Sequence, residues 1–334
     1  MSDHVQGGAS EAGIAPAPLL SVGMPVYNGQ NYLREALDSL LSQDFRDFEV
    51  ILCDNASTDD TERICREYAR RDPRIRYVRN PVNIGSSPNY NRTFELSRGK
   101  YFKWLAHDDV CYPGFLGQCV AAIERAPDTV GLVYPRCELI DGDGSVISAA
   151  PQEPASADER RTRRLANILL HVGYAYPLWG VVRSSHLRRT RLLVAGAHDD
   201  YVLLAELALQ GQSVELPQTL FGLRMHANNA WGVCAAPQGN EVWKNNAKAD
   251  RKSRRRMLAW TNPALADRTI WLPANEELYV RYLQGVAHSG LGFGSRIACY
   301  GVVLGVCYFR RLRNFAHRWK LRIRASWPGS AQSA

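Results

Sequence analysis

Hydrophobic positions follow two alternating periods along the first two thirds of the chain. Short apolar runs at 19–24 (LLSVGM), 48–53 (FEVILC) and 100–106 (KYFKWLA) have the form of strands buried on both faces, and 74–79 (RIRYVR) reads as a shorter strand. Between them apolar residues recur at helical spacing. They fall at 33, 36, 37, 40 and 41 after Asn31. A second helix is predicted from Ser57 and Thr58, with Asp59, Asp60 and Glu62 as an acid-biased start, to about Arg71. A third covers 86–97. Strands alternating with helices in this way predict βαβ units and an α/β fold, with a mainly parallel sheet covered on both faces. Beyond it the pattern predicts a helix over 113–125, a strand over 130–134 and a hairpin at 139–147 turning on Asp141-Gly142-Asp143-Gly144. A polar linker at 150–163, a helix near 165–172 and a strand around 179–182 follow. His198-Asp199-Asp200 then opens an apolar helix over 201–209 that Gly211 stops.

In parallel sheets ligands gather at the carboxyl ends of strands, and here each run ends in polar residues. Tyr27-Asn28 follows the first, Asp54-Asn55 the second, Asn83 to Gly85 the third, and His107-Asp108-Asp109 the fourth. Adjacent carboxylates resist desolvation unless a cation or donors sit between them. Hard oxygen ligands at a strand end suit Mg²⁺ or Mn²⁺ shared with substrate phosphates. No Gly-x-Gly-x-x-Gly follows the first strand and no Walker loop occurs, so neither a nicotinamide site nor a phosphate-loop ATPase is supported.

Composition changes little of this picture, but charge placement adds to it. The net charge is +8, and residues 296–324 carry eight Arg or Lys with no Asp or Glu from 296 to the end. Residues 1–295 are thus formally neutral, which argues against a nucleic-acid-binding body. The eight cysteines form no CxxC pair and lie mostly in apolar runs, so buried free thiols in a reducing compartment are expected. Residues 1–17, rich in Gly, Ala and Pro without an apolar core, read as a disordered leader. The body is expected at 18–232, and a helical C-terminal region at 233–334.

Taken in order, these blocks resemble the inverting family 2 glycosyltransferases of the GT-A fold over about residues 19–231. The matching blocks are Pro-x-Tyr-Asn at 25–28, Ser-Gln-x-Phe-x-Asp-Phe-Glu-Val at 42–50, Asp-Asn-x-Ser-x-Asp at 54–59, Asn-x-Gly at 83–85, the acids at 108–109, Asp199-Asp200, and Arg224-Met225-His226. The resemblance implies a Rossmann-like sheet and a nucleotide-diphosphate sugar as donor, a UDP-sugar above all. Pro25, Tyr27, Asn28, Asp54, Asn83 and Gly85 would line the nucleotide pocket, with Asp54 accepting from a base N–H. Asp108 and Asp109 would hold the ribose and an Mg²⁺ or Mn²⁺ ion, with His226 as a further ligand or diphosphate contact. Asp200, beside Asp199, would be the base that deprotonates the acceptor hydroxyl in a single displacement. Asn228, Asn229 and Trp231 look like a flap over the donor. One position departs from the family pattern Asp-x-Asp-Asp: Ala106 replaces the first acid, leaving Ala-His-Asp-Asp. A nucleotidyltransferase of similar fold and a non-catalytic sugar-binding relative are the alternatives.

The C-terminal region has its own pattern. The basic run at 251–256 (RKSRRR) reads as a solvated face or a contact for phosphates of a lipid-linked acceptor. The uncharged run at 297–309 has 13 residues, against ~20 for a membrane span. From Leu312, apolar residues at 312, 315, 316, 319 and 323 form one helical stripe edged by Arg and Lys. This is the pattern of a helix lying in an anionic membrane interface. The expectation is an enzyme of cell-surface glycan synthesis, held at the inner face of the cell membrane through residues 296–324, with a glycan or lipid-linked acceptor and no nucleic-acid partner.

Overall fold

The computed structural model describes residues 16–153, 156–196, 198–226, 258, 260–265 and 274–326. Its first half follows the apolar runs closely. β1 (Leu20–Val26) lies between β2 (Phe48–Asp54) and β4 (Tyr101–Trp104), parallel to both, with β3 (Ile75–Arg79) parallel outside β2. Every residue of β1 and β2 is buried, as unbroken apolar runs in a doubly covered sheet require. Pro25 is tolerated in this central strand because β4 ends opposite Gly23, so no ladder bond is lost on that side. Helices α1 (Leu33–Leu41), α2 (Thr61–Arg71), α3 (Ser86–Glu95) and α4 (Phe115–Arg125) connect the strands. Gly23 lets α3 close on β1: a Cβ there would stand 2.3 Å from Thr93 Oγ1.

The sheet is mixed rather than mainly parallel, in the order β3-β2-β1-β4-β8-β6-β9-β5. The short β5 (Val110–Cys111) and β8 (Val181–Arg183) run antiparallel to their neighbours, while β6 (Val130–Ile140) pairs in parallel with β9 (Gln212–Arg224). The strand predicted at 130–134 continues to Ile140 and turns into β7 (Val146–Ala149), the expected hairpin. β9 has no counterpart in the sequence reading, since Pro217 and Gly222 interrupt its alternation; pairing along β6 makes it a strand. The segment around Trp179 is a 3-10 turn (Tyr176–Trp179) before β8.

Two further expectations are corrected. Ser57 and Thr58 do not cap α2, which begins at Thr61; Asp59 Oδ1 accepts the Thr61 N–H instead. Nor is 150–163 a solvated linker. Glu153 is buried, and its carboxylate accepts the N–H groups of Gly173, Tyr174 and Ala175. A buried acid surrounded by three donors holds that loop in place.

Helix α5 (Arg161–His171) and helix α8 (Ala274–His288) pack on α7 (Asp199–Gln210), whose residues 201–209 are all buried; α6 (Ser184–Leu187) is one turn. The last helix, α9 (Phe293–Ser326), docks on α5 and α8 through Cys299, Val303 and Val306. No helix among the described residues is long and apolar enough to cross a membrane. The seven described cysteines are free, and all but Cys307 are buried. Asn228, Asn229, Trp231, the 251–256 run and most of the leader lie outside the described residues, as do the side chains of the stripe beyond Leu312.

Candidate active site

β1 has β2 on one side and β4 on the other, so the chain reverses its direction of winding there. In doubly wound sheets the crevice at such a reversal receives ligand. Three groups of polar side chains meet at this end of the molecule.

The first joins the loops after β1, β2 and β3. Asn28, in the left-handed region at φ 49°, donates its N–H to Ser57 Oγ (3.0 Å) and accepts from the Thr58 N–H (2.9 Å). Asp54 is fully buried. Its oxygens accept from the Ser57 N–H (2.8 Å), the Tyr77 hydroxyl (2.9 Å) and the Arg79 guanidinium. Asp54 therefore braces the loops that follow β1 and β2 from beneath. Asn83 and Gly85 are brought in by Asn55, which bonds Asn83 Oδ1 (2.9 Å), the Gly85 carbonyl (3.1 Å) and the Ile84 N–H (3.0 Å). Gly85 takes φ 93°, where a side chain is strained. Tyr27 is exposed at 41%, a ring free to stack on a base, while Pro25 is buried in β1.

The second group surrounds the acids after β4. Asp108 Oδ2 meets His226 Nε2 at 2.9 Å, and the His226 ring lies against Tyr32 at 4.9 Å between centroids. Asp109 is turned inward, accepting the Arg224 N–H at 2.9 Å. Arg224, 1% exposed in its side chain, donates to the Asp108 carbonyl (2.7 Å), to the carbonyls of Asp141 and Gly142, and to Glu35 (2.6 Å). One guanidinium thus ties α1, the acidic loop and the β6–β7 hairpin together, which explains the Arg-x-His spacing at 224–226. Electrostatics separate the two acids. Burial works against the charge on Asp108, but His107 and His226 outweigh it and hold its pKa below the usual range. Burial and the Asp108 charge push Asp109 well above it. His107 packs its ring over Gly29, where a Cβ would lie 2.5 Å from it.

The third group opens α7. Asp199 is tied down: Ser87 Oγ donates to Oδ2 at 2.6 Å, and the Asp200 N–H donates to Oδ1 at 3.0 Å. Asp200 accepts only the Tyr201 N–H (2.8 Å) among the described residues, leaving one oxygen uncommitted. Burial, reinforced by the Asp199 charge, pushes Asp200 up to about 8. Between the second and third groups lies Tyr90, its phenol raised by burial and by the charges of Asp108, Asp109 and Asp199. Its ring stands 6.4 Å from Trp104 and 6.0 Å from Trp179. Sequence reasoning missed Arg79, Ser87, Tyr90 and Trp179, because each joins the site through a distant element, and saw Asn55 only as part of a polar strand end.

As a candidate metal centre, the residues present fit a divalent ion shared with substrate. Asp108 and His226 offer a hard oxygen and an imidazole nitrogen in contact, both suited to Mn²⁺. No group of three or more such side chains is placed to cage an ion among the described residues, so phosphate oxygens or water would complete its shell.

A parallel β-α half and a mixed second half, with acids at the strand ends of the switch point, have the arrangement of the GT-A fold. Residues 21–177 match the family described as Glycosyl transferase family 2. An uncharacterized glycosyltransferase of Rickettsia prowazekii is 38% identical over 125 residues, 37% of this chain and 38% of that protein. Chondroitin synthase of Escherichia coli is 34% identical over 145 residues, 43% of this chain and 21% of the synthase. The chain thus spans less than half the length of these curated relatives. Among solved structures, S. aureus TarS 1–349 in complex with UDP-GlcNAc is similar in fold, at TM-score 0.53 and 15% identity, with 88% of this chain and 91% of that one covered.

Proposed function

We propose that the protein is a metal-dependent, inverting transferase that moves a sugar from a nucleotide diphosphate to an acceptor hydroxyl. The observation that carries this reading is the presence of two acid pairs near Tyr90, Asp108-Asp109 tied to His226 and Asp199-Asp200 with an Asp200 carboxylate oxygen uncommitted among the described residues. In this reading Tyr27, Asn28, Asp54 and Arg79 receive the nucleotide base and ribose, with Asn83 and Gly85 shaping their wall. A bound Mg²⁺ or Mn²⁺ supplies positive charge to the departing diphosphate; Asp108 and His226 hold it, with Asp109 behind them. Asp200 takes the acceptor proton from the far side of the anomeric carbon, and its raised pKa makes the ionised carboxylate a stronger base. Asp199 and Ser87 hold Asp200 in place. UDP-GlcNAc bound to the structural neighbour supports a UDP-sugar as the donor class. The acceptor is a glycan or lipid-linked precursor, and the site of action is the inner face of the cell membrane. A screen of nucleotide sugars with Mn²⁺ tests the reading. A donor should be stabilising and turned over by the wild type, and bound without turnover by Asp200→Asn. Failure to bind any nucleotide sugar overturns it.

A further inference from the structure

The uncharged run at 297–309 is not simply a docked helix. α9 buries Cys299, Val303 and Val306 against α5 and α8. At 100° per residue these three share one side of the helix. The other side carries Phe293, Ile297, Leu304, Tyr308 and Leu312, exposed at 81, 53, 57, 66 and 49%. Gly301 and Gly305 also face outward on this side. The row of large apolar side chains thus begins almost twenty residues before the stripe seen in the sequence, and shares Leu312 with it. Exposed single apolar residues are ordinary, but a continuous row opposite a docked face calls for an occupant.

Charge selects that occupant. The helix contains eight Arg or Lys and no acid. Pairing with a second copy of the same helix would set like charges against each other. Arg296, Arg310 and Arg311 are engaged by the body, at the Leu291 and Leu169 carbonyls and Glu276; an anionic bilayer instead accepts the apolar row in its interface and draws the remaining positive charge of the helix toward its headgroups. We propose that the outward face of α9, from Phe293 to Leu312, is a docking surface for an anionic lipid bilayer. The proposal deepens the membrane localisation given above and takes nothing from the proposed reaction.

The direction of the helix ties this surface to the site. Near its start, Arg296 donates to the Leu291 carbonyl (3.0 Å), just after α8 and at the end of the molecule where α7 finishes. Fourteen residues later, Arg310 donates to the Leu169 carbonyl (2.6 Å) at the end of α5, and its charge reaches Tyr201 beside Asp200. The docked helix therefore leads from the rear of the domain to the acceptor end.

The test is co-sedimentation of the full chain with phosphatidylcholine vesicles, with and without phosphatidylglycerol. The wild type should bind the anionic vesicles and release with salt. I297E/L304E/Y308E, substituted only at exposed positions, should bind at least about tenfold more weakly. Its melting temperature and its nucleotide-sugar binding should match the wild type. Unchanged sedimentation of the variant overturns the proposal. So does a wild-type dimer in sedimentation velocity that the same substitutions dissolve. Because vesicle binding is measured without a sugar donor, it stands or falls separately from the reaction.

Discussion

At the scale of single residues, the contrast between the two acid pairs sets the chemistry. The two histidines outweigh burial and hold the Asp108 pKa below the usual range, whereas Asp200, with a second acid next to it, is raised by burial and that acid's charge. A base must be unprotonated to act, so kcat/KM for transfer should climb with pH up to about 8 and then level off. Asp199→Asn removes the neighbouring negative charge and should move that limb to lower pH, which a pH–rate profile reads directly. Asp200→Asn should abolish the limb and lower kcat by ~10²–10⁴-fold, the usual worth of a positioned general base. His226→Ala addresses the other pair. It should raise the Mn²⁺ concentration for half-maximal activity at least ~10-fold, since loss of groups that merely orient ligands already costs that much. An unchanged Mn²⁺ titration would leave His226 a packing partner of Tyr32.

At the scale of elements, buried charges act as braces between loops. Glu153 holds three consecutive amides of the loop that leads into the Tyr176–Trp179 turn, and Tyr201 donates its hydroxyl to the Gly173 carbonyl of the same loop. Burial raises the pKa of Glu153, and the three N–H groups oppose the rise. Glu153→Ala leaves those donors without their acceptor. At roughly 1–3 kcal/mol for each buried group left unpaired, the loss should reach about 3 kcal/mol or more in urea denaturation. A loss below about 1 kcal/mol would mean that water replaces the carboxylate at once. The apolar runs of β1, β2 and β4 made these strands legible from sequence because both faces of each are covered. β9 was hidden because Pro217 and Gly222 break the alternation that a half-covered strand would show, and only its partner β6 decides its conformation.

At the scale of the whole molecule, the α7 acids link the site to stability. Asp199 and Asp200 both have raised pKa values in the folded protein. The native state therefore binds more protons than the unfolded chain between the ordinary carboxyl range and about 8, and stability must fall as pH rises through that window. Asp200→Asn should flatten this decline and leave the protein more stable than the wild type at its upper end, as urea midpoints across pH would report. A parallel decline in both proteins would mean that other groups dominate. The same substitution is expected to abolish turnover, so stability and function conflict at this position.

The sequence by itself determined the βα alternation, the polar strand ends and the acid-free basic tail. Each is a local pattern, set by periodicity or by charge along a few tens of residues. It also made Asp54, Asp108, Asp109, Asp199, Asp200 and His226 visible as chemistry-bearing residues. Tertiary structure decided how they are divided: Asp54 as a brace, Asp108 facing His226, Asp109 turned to the Arg224 amide, and Asp199 bonded to Ser87. It likewise decided which side of α9 is covered. Apart from the Ser57 amide beside Asp54, those outcomes depend on partners 23 to 118 positions away, and no local pattern encodes which of two neighbouring carboxylates will meet a distant donor.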